Sequence, residues 1–154
     1  MKNNYLSFLK EHQDIIGETK GLHTNEIQSI EQKFNVTLPV AYKQFLSYFG
    51  HDTGSLLNGY CMTYKELQEN REDAIYELEF DDCRKDRVVL EEHYFFFAQW
   101  QGYSFLFFDC SIAEGNPPVF LFDTEKIVKY KDSFTDFLND EGLQLLIQSH
   151  NQRP

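Results

Sequence analysis

The sequence has little cysteine and little positive charge, and both shortages limit what the protein can be. Three cysteines, Cys61, Cys83 and Cys110, occur in 154 residues, at long spacings and without a CxxC pair. This odd number at such spacings is not typical of a disulfide framework or a zinc site. Lysine and arginine number 14 against 25 aspartates and glutamates, so the net charge is −11. A chain this acidic repels nucleic acid and anionic membrane surfaces.

Long apolar runs are also missing. The longest, Tyr94–Ala98, is too short to span a bilayer, and "MKNNYLSFLKEHQD" at the start does not have the pattern of a signal peptide. We therefore expect a cytoplasmic protein that binds neither membrane nor nucleic acid. Hydrophobic residues make up 42% of the chain, which is enough for a single domain over residues 1–154.

Catalytic motifs are absent from the sequence. It has no phosphate-binding glycine loop, no nucleophile elbow and no paired-histidine zinc motif. Cys110 follows Asp109, whose negative charge would raise the pKa of the thiol, so this cysteine is not expected to be a nucleophile. We predict no catalytic residues, no cofactor and no metal site. A hydrolase that uses clustered carboxylates is the weakest alternative.

The first half of the chain shows the apolar spacing of helices. One helix is predicted over residues 5–16. Another is predicted to begin at Pro39 and to end at Gly50, with the glycine in the left-handed backbone region. Thr63 and Glu66 match a capping box, which predicts a further helix start.

The second half is rich in aromatic residues and predicts strands. "HYFFFAQWQGYSFLFFDC" (93–110) is typical of two antiparallel strands joined at Gln101–Gly102, and Val119–Phe122 and "KIVKY" (126–130) predict two more. Ser133 begins a closing helix. This order of helices, strands and a last helix predicts an α+β fold, in which helices flank a central antiparallel or mixed sheet.

Negative charge is concentrated between Glu66 and Glu92, a segment that contains 11 acidic residues and 4 basic ones. Apolar residues lie between the charges, and a helix is predicted in roughly 70–92. Two interpretations stay open: an ordinary helix with a solvated acidic face, or charged residues around apolar anchors in a protein-binding surface.

Trp100, the only tryptophan, is either a binding anchor at a turn or a cover on the core. The candidate partner-binding residues are Glu72, Asp73, Glu77, Glu79, Asp81, Asp82, Glu91, Glu92 and Trp100.

Three stretches together resemble a known family. "EIQSIEQKFNVTLPVAYKQFLSYFG" is similar to the opening motif of the SUKH superfamily, which includes the fungal Smi and Knr cell-wall regulators. "YSFLFFDCSIAEGNPPVFLFD" and "KDSFTDFLND" resemble its strand–loop–strand and its closing helix. The matching positions are Ile30, Glu31, Phe34, Val36, Leu38, Pro39, Tyr42, Phe45, Leu46, Gly50, Asp109, Gly115, Pro118, Val119, Ser133, Phe134, Phe137 and Leu138.

The resemblance implies both a fold and a function. It implies an α+β domain with a central sheet and a role without catalytic residues. Bacterial members commonly act as immunity proteins, which bind a cognate toxin, often a nuclease, and block it. The expected partner is therefore a protein toxin with a basic surface. A regulatory or scaffold module of the fungal type is the alternative.

Overall fold

The computed structural model describes residues 4–80 and 88–152 of the chain. The helices are α1 Ser7–Lys10, α2 Gln13–Ile16, α3 Thr24–Phe34, α4 Val40–Phe49, α5 Leu67–Phe80, α6 Phe134–Phe137 and α7 Gln144–Asn151. A 3₁₀ turn, Tyr64–Glu66, precedes α5, and a π-helical segment, Leu138–Leu143, joins α6 to α7. The strands are β1 Tyr60–Cys61, β2 Tyr94–Trp100, β3 Ser104–Asp109, β4 Val119–Phe122 and β5 Ile127–Lys131.

The five strands form one sheet in which neighbours in space are also neighbours along the chain. Its order is β1-β2-β3-β4-β5, and every pair is antiparallel. The predicted α+β fold is therefore confirmed, and the sheet is antiparallel rather than mixed. The predicted hairpin at Gln101–Gly102 is also present. Both residues have positive φ, 54° and 77°, as a tight hairpin turn between twisted strands requires.

The sheet has an apolar cluster on each face. The larger cluster packs the helical layer, formed by α1–α4 and by the helices after β5, against the sheet. Tyr42 lies at its centre, with its ring 5.2–6.2 Å from the rings of five phenylalanines. The smaller cluster lies on the opposite face and includes Ala74 of α5 with Phe96, Phe105 and Phe107. As the sequence predicted for β3, this strand is buried on both faces.

The link between α3 and α4 is fixed by Glu31. Its carboxylate accepts a hydrogen bond from the backbone N–H of Leu38 at 2.8 Å and pairs with Lys43 at 3.1 Å. Proline follows Leu38, so the chain stays extended until α4 begins. Glu31 thus satisfies a backbone donor in the link that carries the Leu-Pro pair.

Three predictions about the helices are wrong in detail. The helix predicted in roughly 70–92 is α5, Leu67–Phe80, and residues 88–92 are not helical. Gly50 has φ −61°, so it is not the left-handed residue expected after α4. Glycine is needed there for space, because a Cβ atom would lie 2.4 Å from Cγ of Leu22. The single helix predicted over 5–16 is two short helices, α1 and α2, separated at Glu11–His12. Across the described residues, no helix is both long enough and apolar enough to cross a membrane.

Candidate functional site

Helix α5 covers the sheet face that lies opposite the helical layer. Its start is the predicted capping box: the Glu66 carboxylate accepts from the backbone N–H of Thr63 at 3.1 Å. Its inner residues Leu67, Asn70 and Ala74 are buried. Their spacing of three and four residues is that of one helix face, so the opposite face of α5 is directed to solvent.

The outer face of α5 combines carboxylates with two large aromatic rings. Tyr76 and Phe80 are 62% and 75% exposed, and their ring centroids are 6.0 Å apart. We call Glu69, Glu72, Tyr76, Glu79 and Phe80 the α5 stripe. Its three carboxylates are exposed, and no residue in the described ranges forms a salt bridge with them. An exposed apolar pair surrounded by exposed negative charge is suited to a basic partner that brings its own apolar contacts.

The predicted site residues on and beside α5 lie in different environments. Glu72 and Glu79 belong to the α5 stripe, and Glu77 is half-buried on its flank. Asp73 is exposed, but its carboxylate accepts a hydrogen bond from the Gln99 side chain at 2.9 Å, so it also helps to hold α5 on the sheet.

Glu91 and Glu92 are exposed just before β2. They lie beside α5, because Arg71 of that helix donates to the carbonyls of Glu91 at 3.4 Å and Tyr94 at 3.0 Å. Asp81 and Asp82 lie outside the described residues.

Trp100 lies on the other face of the sheet from α5. Gln99 points to α5, and side chains alternate along a strand, so Trp100 points to the helical layer. Its ring packs 4.9 Å from that of Tyr60 and covers Gly59. Trp100 and the α5 stripe are therefore two separate surfaces.

Two residues that hold α5 on the sheet, and that sequence reasoning missed, are Asn70 and Gln99. Both are buried, and Gln99 donates to the Asn70 side chain at 2.9 Å. Asn70 in turn donates to the carbonyl of Cys61 at 2.9 Å. The network ties α5 to β1 and β2 and positions the α5 stripe. The one signal in the sequence was a glutamine at the end of an otherwise apolar strand.

A groove crosses the sheet beside Trp100. Its volume is about 180 Å³, and each of the five strands contributes to its lining: Tyr60, Trp100, Ser104, Leu106, Leu121 and Tyr130. We call this the aromatic groove. At one end, the Tyr130 hydroxyl donates a hydrogen bond to Glu141 of the π-helical segment. Burial raises the pKa of Glu141, and burial together with the Glu141 charge raises the pKa of Tyr60 to about 12.

Substituting alanine at Gly59 is expected to disturb Trp100, whereas the same change at Gly102 is not. Both glycines have positive φ, +96° and +77°, so both substitutions add backbone strain. Only at Gly59 does the new Cβ meet the indole, at 2.4 Å from its nearest ring atom. Gly59→Ala should therefore cost about 1–3 kcal/mol more than Gly102→Ala in urea unfolding and should shift the tryptophan emission. Equal losses and unchanged emission would contradict this packing.

In the part of the chain that the structure describes, the cysteines are not activated, and no group of side chains is arranged to hold a metal ion. Burial and the neighbouring Asp109 raise the pKa of the Cys110 thiol to about 12, and burial also raises the pKa of Cys61. Both thiols are thus protonated and poor nucleophiles at neutral pH. Residues 4–80 and 88–152 contain no group of three histidine, cysteine or acidic side chains that could hold a metal ion.

Comparison with known protein families identifies one family. No curated protein matches the chain. The family model described as SMI1 / KNR4 family (SUKH-1) matches residues 21–140, which extend from just before α3 into the π-helical segment and include the whole sheet. This range holds the three stretches on which the resemblance was based. The chain therefore belongs to the SMI1 / KNR4 family (SUKH-1).

Proposed function

We propose that the protein is a cytoplasmic immunity protein that binds a cognate protein toxin through the α5 stripe and blocks it. The observation that carries this proposal is the exposure of Tyr76 and Phe80 among the exposed carboxylates of one helix face. Membership of a family that is generally non-catalytic and has immunity-protein-like members supports it.

The charge of the chain indicates what kind of toxin would bind. With a net charge of −11, the protein attracts a basic surface over distances of about 8–10 Å at physiological salt, which speeds association. A nuclease presents such a surface, because its substrate is a polyanion. The aromatic pair then supplies the apolar contact that slows dissociation, since large aromatic side chains carry much of the binding energy in interfaces.

Co-expression tests the function itself. If the proposal holds, a large protein with a variable C-terminal domain should be encoded next to this gene, and that domain would be the toxin candidate. Cells that express this domain alone should stop growing, and co-expression of the full chain should restore growth. Absence of rescue, together with binding of several endogenous partners to the α5 stripe, would instead favour a regulatory or scaffold module.

Substitutions on α5 test the proposed surface. Tyr76→Ala with Phe80→Ala should weaken the affinity for that toxin domain by about 30-fold, equivalent to ~2 kcal/mol, because both changes remove central anchors. Glu69→Gln, Glu72→Gln and Glu79→Gln together should mainly lower the association rate and its dependence on salt.

A matched triple variant controls for net charge. Glu11→Gln, Glu18→Gln and Glu114→Gln remove the same charge from exposed positions away from α5. This control should keep the wild-type affinity to within about twofold. Surface plasmon resonance at two salt concentrations measures the association rate and the affinity of the wild type, the α5 triple variant and the control triple variant. Equal effects of the two triple variants would show that overall charge, rather than the α5 stripe, governs association.

A further inference from the structure

The aromatic groove has the size of one side chain. A cavity of 150 Å³ is known to hold a benzene molecule, so about 180 Å³ accommodates a single planar group. Tyr60 on β1, Trp100 on β2 and Tyr130 on β5 provide aromatic rings, and Leu106 and Leu121 form part of the floor between them. The groove is therefore a place for one inserted side chain rather than for a helix.

The chemistry around the groove favours a positive charge. The faces of aromatic rings are negative, and Trp and Tyr rings attract cations within about 6 Å. Tyr130 donates to one oxygen of the Glu141 carboxylate, and no other described residue donates a hydrogen bond to this group. Lys131 lies beside the groove, 5.1 Å from the centre of the Tyr130 ring, and is already paired with Asp140 at 3.2 Å.

The π-helical segment supplies the carboxylate. Leu138, Gly142 and Leu143 of this segment are buried, so Glu141 is held on a fixed backbone beside Tyr130. A Cβ atom on Gly142 would come within 3.1–3.2 Å of Leu56 and Leu57, so this part of the segment is tightly packed. π-Helical turns are rare and occur frequently at functional sites.

We propose that the aromatic groove binds the guanidinium group of an arginine side chain presented by a protein partner. Guanidinium is planar, stacks on aromatic rings and forms directed hydrogen bonds with carboxylates, whereas an ammonium group keeps its water more strongly. A chain of net charge −11 selects partners in which such arginines are frequent. The site is separate from the α5 stripe, and its ligand chemistry can be tested without a toxin.

The only tryptophan of the chain lies in the groove and reports on its occupation. The probe is a blocked tripeptide with a central arginine, and the matched neutral peptide carries citrulline, which has nearly the same shape without the charge. The arginine peptide should change the Trp100 emission saturably, with a Kd on the order of 1 mM for one cation–π contact and one ion pair. The citrulline peptide should bind at least fivefold more weakly.

Variants separate the carboxylate from the rings. Glu141→Gln should weaken arginine binding about fivefold or more, whereas Asp136→Asn, an exposed change on the adjoining helix, should leave it unchanged. If Glu141→Gln does not fold, Tyr130→Phe serves instead: it keeps the ring and frees the carboxylate, so the arginine affinity should be retained or increased.

Several results would overturn the proposal. For the wild-type protein, these are equal responses to the arginine and citrulline peptides, a response that does not saturate, or tighter binding of a tripeptide with central phenylalanine. For the variants, they are an unchanged affinity of Glu141→Gln for the arginine peptide or a lower affinity of Tyr130→Phe for it. Failure of toxin rescue would not affect this result, because the peptide titration needs no toxin.

Discussion

Replacing Phe134 by alanine is expected to lower the free energy of unfolding by about 3–5 kcal/mol, the range for removal of a fully buried aromatic ring. Phe134 is completely buried, and its ring lies 5.2–6.4 Å from those of Tyr42, Phe45, Phe97, Phe108 and Phe137. The helical layer meets the sheet at this ring. Since whole domains are stable by only about 5–15 kcal/mol, this one change removes much of the stability.

Urea unfolding followed by circular dichroism measures the Phe134→Ala effect. The control is Leu145→Ala on α7, which also removes an apolar side chain from the closing helices but at a position that is 52% exposed. The control should change the free energy of unfolding by less than about 1 kcal/mol. A Phe134→Ala loss as small as that of the control would mean that Phe134 is not the packing centre that the ring distances indicate.

Replacing Asn70 by alanine is expected to cost about 2–4 kcal/mol, because two buried hydrogen-bonding groups lose a partner. These groups are the carbonyl of Cys61 and the side chain of Gln99. Gln99 keeps its bond to Asp73, so the loss falls mainly on the contact between α5 and β1. Asn70→Ala should accordingly speed amide hydrogen exchange more in α5 than in the β3–β4 pair.

The control for Asn70→Ala lies on the same helix. Gln68 also forms a side-chain hydrogen bond, to Glu72 at 2.7 Å, but this bond is exposed. Gln68→Ala should change the free energy of unfolding by no more than about 0.5 kcal/mol. If Asn70→Ala cost no more than Gln68→Ala, the buried network would not be what holds α5 on the sheet.

Strands and caps could be predicted from the sequence because their signals are local. The Gln101–Gly102 turn, the strand at Val119–Phe122 and the capping box at Thr63 all depend on residues within a few positions of one another. The need for glycine at Gly50 could not be predicted correctly, because it comes from Leu22, which is distant in sequence and is brought close only by the fold.

The α5 stripe could be placed only approximately from the sequence. Apolar residues at Ala74, Ile75, Tyr76, Leu78 and Phe80 surround the helix, so periodicity does not show which of them face the sheet. Only the packing of Ala74 and Leu78 against the smaller cluster leaves Tyr76 and Phe80 outside. The aromatic groove was still less accessible to sequence reasoning, because its residues come from five strands spread between Tyr60 and Tyr130.

The sheet order has a consequence for how this protein can diversify. Helix α5 belongs to the connection between β1 and β2, which are neighbours in the sheet, so both ends of the connection are held by strands that pair with each other. Doubling the length of such a connection costs only about 0.6 kcal/mol in chain entropy. Substitutions and insertions on the outer side of α5 leave every strand pair intact, and new recognition properties can evolve there while the rest of the domain is conserved.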